Sequence, residues 1–258
     1  MTDVLLGDTL ILALAGLIAG LVDAIVGGGG LIQLPAMFSV LTQTVPASLF
    51  GTNKFASVWG TLFAARTYAK RLSVEWGTAL PAALTAFLFS MAGAWLVTHT
   101  SPDLIRKSLP FVLLLVAIYV ASRKDFGATH VPRYSGALEI GMALMVGAII
   151  GFYDGFFGPG TGSFLLFLFV RLFGFDFLGA SAVAKIVNVA CNFSALLWFG
   201  YSGHILWQLG LVMAVSNIVG AVIGTRLAIK GGSALVRQLF LVVVSLLILK
   251  TAKDAFWP

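Results

Sequence analysis

The sequence predicts an all-α polytopic membrane protein built from two homologous halves. Three observations carry that expectation. Of 258 residues, 59% are hydrophobic and only 10% charged, with a mean hydropathy of +1.01, whereas a soluble domain carries about a quarter charged residues. The apolar stretches 10–22, 76–97, 109–121, 138–153, 205–225 and 235–249 are long and evenly apolar. They suit helices crossing a hydrocarbon core, which need about 20 such residues, and not the shorter alternating strands of a barrel. Finally, a shift of 131 positions without a gap places Gly16, Gly20, Asp23, Gly27, Gly29, Lys54, Trp76 and Gly93 on Gly147, Gly151, Asp154, Gly158, Gly160, Lys185, Trp207 and Gly224. Shared Leu, Ala and Val mean little in so apolar a chain. A carboxylate, a lysine and paired glycines kept in register mean a great deal.

The elements follow in order. A first helix over about 8–26 stops at Gly27-Gly28-Gly29-Gly30, and a short apolar segment covers about 31–41. Pro46 is placed to open the next helix, to about 68. Helices over about 74–97 and 104–121 complete a first half, 1–125. The stretch 126–135, with Gly, Pro and charge, reads as a linker. The second half, 136–258, repeats the order: a helix to about 157, a Gly/Pro break, a short segment 163–173, then helices over about 177–199, 205–229 and 234–253. The expectation is eight full transmembrane helices plus two short broken segments. No basic region precedes the first apolar run, so no cleaved signal peptide is expected.

Whether the short segments cross decides the orientation of the halves. If both re-enter, the loop Lys and Arg split eight to five. If both cross, the halves are inverted and the split sharpens. Arg66, Lys70, Arg71, Arg123, Lys124, Arg133, Arg171, Lys230 and Arg237 then face Arg106, Lys107, Lys250 and Lys253, nine to four. The positive-inside bias favours the inverted arrangement, with the linker in the cytoplasm. The net charge of +6 is read as this same loop bias, not as a nucleic-acid surface.

Rare polar residues mark the candidate site. Lys54 and Lys185 each lie two turns into an apolar helix. An ammonium at membrane depth costs about 2.5–3.5 kcal/mol on insertion scales, so it faces a cavity or a partner. Snorkelling to a headgroup is the plainer reading, but it does not select the same position twice. Asn188 and Asn192 lie on the face of Lys185, as Ser57 and Thr61 lie on that of Lys54. The breaks, with Gly28, Gly29 and Gly30 in one half and Gly160, Thr161, Gly162 and Ser163 in the other, each precede a helix start. Such a start offers unpaired N–H groups and a positive dipole end, as in the discontinuous helices of repeat transporters. Close helix packing by small residues is the competing explanation.

Asp23 and Asp154 precede the breaks by four residues. Each reads as an ion-pair partner of a lysine, a cap for the broken backbone, or a proton-coupling carboxylate, with pairing or capping ranked first. Gln33 and Asn217 suit cavity lining and helix–helix hydrogen bonding equally. Arg226, Trp76 and Trp207 read as interface residues. The lone Cys191 excludes a disulfide framework, and His99, His130 and His204 fall at helix ends, so no metal site and no cofactor are expected.

The residues Asp23–Gly30 with Leu31-Ile32, the run Gly51-Thr52-Asn53-Lys54, the run from Gly151 to Ser163, and Ala184-Lys185-Ile186-Val187-Asn188 resemble the TauE/SafE sulfite-exporter family, nearest its YfcA-like branch. The resemblance spans nearly the whole chain. It implies a multi-pass bacterial inner-membrane permease for sulfur-containing anions such as sulfite, sulfoacetate or other organosulfonates, usually described with seven or eight spans. On that reading Lys54 and Lys185 supply charge, and Thr52, Asn53, Ser57, Asn188, Asn192, Thr161 and Ser163 supply neutral donors. Positive charge without thiols or imidazoles favours anions over metal cations. An exporter is expected, with uptake or a passive anion channel as alternatives. No catalytic constellation is present, so enzyme chemistry is not expected. Protons remain open as a coupling ion, and the apolar exterior suits lipid and a homodimer equally.

Overall fold

A computed structural model describes residues 6–121 and 130–256; the expected linker therefore lies partly outside the described residues. Nine helices run along them: α1 Leu6–Val26, α2 Gly30–Val40, α3 Pro46–Arg71, α4 Trp76–Thr98, α5 Pro102–Ala121, α6 Gly136–Phe156, α7 Thr161–Arg171, α8 Phe177–Tyr201 and α9 Trp207–Phe256. Among the described residues there is no strand. Five helices are long and apolar enough to cross a membrane: α1, α4, α6, α8 and the Trp207–Gly232 limb of α9. The 11-residue α2 and α7 reach only about 16 Å, roughly half a hydrocarbon core.

Local chemistry explains the starts and stops. Pro46 sits in the first turn of α3, where its missing N–H costs nothing. Asp176 caps α8, its carboxylate accepting from the N–H groups of Leu178 and Gly179. The run labelled α9 holds the two last helices expected, which meet at Gly232, whose φ of 63° and ψ of −167° are not helical and turn the chain within one residue. A glycine adopts that backbone without a Cβ clash, so no loop is needed.

The bounds of α2 and α7 differ by 131 at both ends, and the starts of α3 and α8, and of α4 and α9, by the same number. Packing exchanges the first helices of the two halves. On α1, a Cβ at Gly20 would lie 2.9 Å from Asn217 Cα of α9. On α6, a Cβ at Gly151 would lie 2.6 Å from Ala86 Cα of α4. Small residues let these backbones touch, the packing that membrane helices favour. A test follows from α9, where a Cβ at Gly220 would lie 2.7 Å from the Leu21 nitrogen of α1. Gly220→Ala is expected to destabilise the protein by about 1–3 kcal/mol, read as a lower melting temperature in detergent. Gly141→Ala, where nothing lies within 4 Å, should not.

The polarity is inverted relative to a soluble domain. Leu10, Leu14, Leu84, Leu88, Ile149 and Leu211 face outward, while Lys54, Lys185, Asn188, Asn192 and Asn217 are buried. Residues 130–133 run along the α7–α8 turn. Val131 donates to the carbonyl of Gly174, and Arg133 to that of Phe173. There His130 lies 3.4 Å from Glu75, beside α4, and 3.3 Å from Asp176.

Candidate functional site: a charged cavity at two crossing helix breaks

The breaks after α1 and α6 meet at the centre. Gly27 has φ 76°, Gly158 φ 85° and Gly160 φ 79°, so each chain leaves its helix through left-handed backbone. They cross with no space for a side chain: a Cβ on Gly162 would lie 2.6 Å from Gly27 Cα. Ser163 fastens the crossing, its hydroxyl donating to the Gly27 carbonyl at 2.8 Å. From this point α2 and α7 begin with tight first turns, in which the N–H groups of Leu31, Ile32 and Thr161 donate to the carbonyls of Gly28, Gly29 and Gly158.

Two ion pairs flank the crossing, and each joins the two halves. Lys54 Nζ of α3 lies 2.5 Å from Asp154 Oδ2 of α6, with both side chains at 4% exposure or less. It also donates to Asn192 Oδ1 at 3.1 Å. Ser90 of α4 donates to the same Asp154 oxygen at 3.4 Å. Lys185 Nζ of α8 lies 3.1 Å from Asp23 Oδ2 of α1, where the aspartate is 13% exposed. Thr61 donates to that carboxylate at 3.2 Å. Two lysines and two aspartates make the buried group formally neutral.

A cavity lies between these elements. It is lined by Asp23, Gly29, Gly30, Asn53, Lys54, Ser57, Asp154, Gly160, Thr161, Gly162, Asn188 and Asn192, together with Gly27, Thr61 and Gly158. Its empty space is about 300 Å³ with the open mouth included. Four candidate residues lie off its wall. Thr52 is fully buried; its hydroxyl donates to Ser48 and accepts from Leu206 N–H, tying α3 to the start of α9. Ser163 is engaged in the crossing, and Gly28 faces the Ser163 hydroxyl. Lys185 sits behind Asp23.

Thr61 was legible as the outer end of the polar stripe beyond Lys54. Ser90 was not, because it interrupts an apolar run without a polar residue at the matching position, Ala221. Among the described residues, two buried side-chain polar atoms lack partners: Asn53 Oδ1, on a cavity-lining residue, and Gln33 Nε2, whose Oε1 accepts from Ser57. Asn217 serves helix packing, donating to the Gly16 carbonyl.

A family model described as sulfite exporter TauE/SafE matches residues 12–251. The chain belongs to the TauE/SafE family. TauE/SafE proteins are membrane transporters, and the relatives agree. A probable membrane transporter protein, ORF9, from Sinorhizobium sp is 36% identical over 247 residues, covering 96% of this chain and 93% of the relative. The probable membrane transporter protein YfcA of Escherichia coli K12 is 34% identical over 245 residues, covering 95% and 90%. A more distant TauE/SafE-like relative, the probable membrane transporter protein YunE of Bacillus subtilis, is 24% identical over 242 residues, covering 84% and 87%. No solved structure matches the chain significantly.

Proposed function

We propose that this TauE/SafE protein is a multi-pass inner-membrane permease that exports small sulfur-containing oxyanions such as sulfite, sulfoacetate or another organosulfonate. The observation that carries the reading is the cavity at the crossing. It combines Lys54, the amides of Asn53, Asn188 and Asn192, the hydroxyls of Ser57, Thr61 and Thr161, and two helix starts. Helix N-termini and buried donors are the chemistry that oxyanions use. The family's description as a sulfite exporter supports the sulfur oxyanion and the outward direction.

The transport mechanism follows from where the site sits. Residues 1–125 and 136–258 act as two inverted repeats of five segments, with eight full spans and two short segments at the breaks. The common offset of their helix bounds and the bias of the loop charges support this. Alternating access is then a rocking of the repeats about the shared cavity. Because Lys54–Asp154 and Lys185–Asp23 each bridge the halves, they act as the pivots across which the rocking occurs.

The test is sulfite or sulfoacetate flux in proteoliposomes, with the intact protein and Lys185→Ala compared. At least a tenfold loss is expected, because removing Lys185 leaves Asp23 uncompensated beside the anion path. Unchanged flux in a well-folded Lys185→Ala protein, together with unchanged flux in Lys54→Ala, would reject the assignment.

A further inference from the structure

The two ion pairs occupy matching places but are not equivalent. Lys54–Asp154 is closed by further groups: Asn192 accepts from the lysine and Ser90 donates to the aspartate. Its carboxylate is 1% exposed. Lys185–Asp23 is longer, at 3.1 Å against 2.5 Å, and its carboxylate, 13% exposed, forms part of the cavity wall. Each carboxylate also accepts from one hydroxyl, Asp154 from Ser90 and Asp23 from Thr61, so the difference lies in pair length and exposure.

Charge then limits how an anion can bind. The four buried groups sum to zero, and an added monoanion would leave an uncompensated negative charge in a poorly solvated place, which is expensive. A proton taken up by one aspartate restores neutrality. The carboxylate that loses least by protonation is the one with the longer pair and the greater exposure to the cavity, Asp23.

We propose that Asp23 takes up one proton for each monoanion bound, while the Lys54–Asp154 pair stays closed. This rests on the anion reading of the same cavity. The proton comes from the open side and converts the Asp23 carboxylate to a carboxyl. That carboxyl donates a hydrogen bond toward the anion, and the Lys185 ammonium, no longer neutralised, supplies the balancing charge. Transport of a monoanion is therefore electroneutral, and either gradient drives it.

The surroundings of Asp23 fit this role. From α8 it meets Lys185, and from α3 Thr61, while the nearby Tyr68 hydroxyl is committed to the Ala24 carbonyl. Lys54 and Asp154 line the same cavity. From α2 the neighbour is Gly29. Facing α1 from α9 are Met213, Asn217, Gly220 and Gly224, none of them titratable, while Arg226 is exposed. From α7, Gly162 packs at Gly27.

The experiment is calorimetric binding of methanesulfonate, which stays a monoanion across neutral pH, to the purified full chain. Binding needs the protonated carboxyl, so affinity should be greatest at low pH and fall about tenfold per pH unit once Asp23 ionises. In weak buffer the wild type should take up about one proton per anion. Asp23→Asn should bind with an affinity that no longer follows pH, and Asp23→Glu should keep the slope with a displaced midpoint. Binding by the wild type without proton uptake would overturn the proposal, whatever the variants do. So would a pH slope that survives in Asp23→Asn, or one that only Asp154→Asn removes. In each of those cases the anion reading would stand. Absence of binding of methanesulfonate, sulfite and sulfoacetate at every pH would overturn both together.

Discussion

Lys54→Ala is expected to abolish transport and to destabilise the protein by about 3–5 kcal/mol, the usual consequence of removing one partner from a buried ion pair. Asp154 would remain at 1% exposure, held by the Ser90 hydroxyl without its cation. Asn192 Oδ1 would also lose the ammonium it accepts from. The double replacement Lys54→Met with Asp154→Leu should recover much of the stability, since well-packed apolar residues often replace a buried pair at little cost. It should not recover flux. Thermal unfolding in detergent and proteoliposome flux, measured on the single and double variants, separate the two effects. If Lys54→Ala alone were as stable as the wild type, the pair would not be the buried unit described here.

Adding one methyl group at the crossing should be nearly as damaging. Gly162→Ala puts a Cβ 2.6 Å from Gly27 Cα, and the obstacle is backbone, which cannot rotate aside. Gly27→Ala meets the same obstacle from the other side and also forces alanine to a φ of 76°. Left-handed backbone alone costs a residue with a Cβ about 1–3 kcal/mol. Both variants are expected to lose at least tenfold in flux, with lower melting temperatures. Gly28→Ala is the control, because its Cβ would meet the Ser163 hydroxyl at an ordinary 3.4 Å. Equal losses at Gly28 and Gly162 would mean that the glycines matter for backbone freedom in general and not for the crossing.

Much of the molecule was readable before any geometry. Helix bounds followed apolar length, the Pro46 start and the glycine stops, to within a few residues. The break expected between the last two helices falls at Gly232, where one glycine suffices to interrupt the run. The polar stripe beyond Lys54 pointed to Ser57 and Thr61, and that beyond Lys185 to Asn188 and Asn192, all on the cavity wall, where Asn53 from the Gly51–Lys54 motif also lies. Thr52 misled because its position beside Asn53 says nothing of direction; one residue along a helix turns the side chain by about 100°, here toward Leu206.

What the sequence determined by itself is local and periodic: a membrane chain, nearly all its helix bounds, the 131-residue register of its charged and glycine positions, and its membership of the TauE/SafE family. These depend on composition, on spacing along one helix, and on likeness between chains. The tertiary structure alone decided the pairing. Lys54 meets Asp154 and Lys185 meets Asp23 across the halves, although within each half a lysine and an aspartate are also available. Small residues let α1 lie on α9 and α6 on α4, which carries each carboxylate to the other half's lysine. Electrostatic attraction has no sequence address; it acts on whichever opposite charge the backbone packing brings within reach.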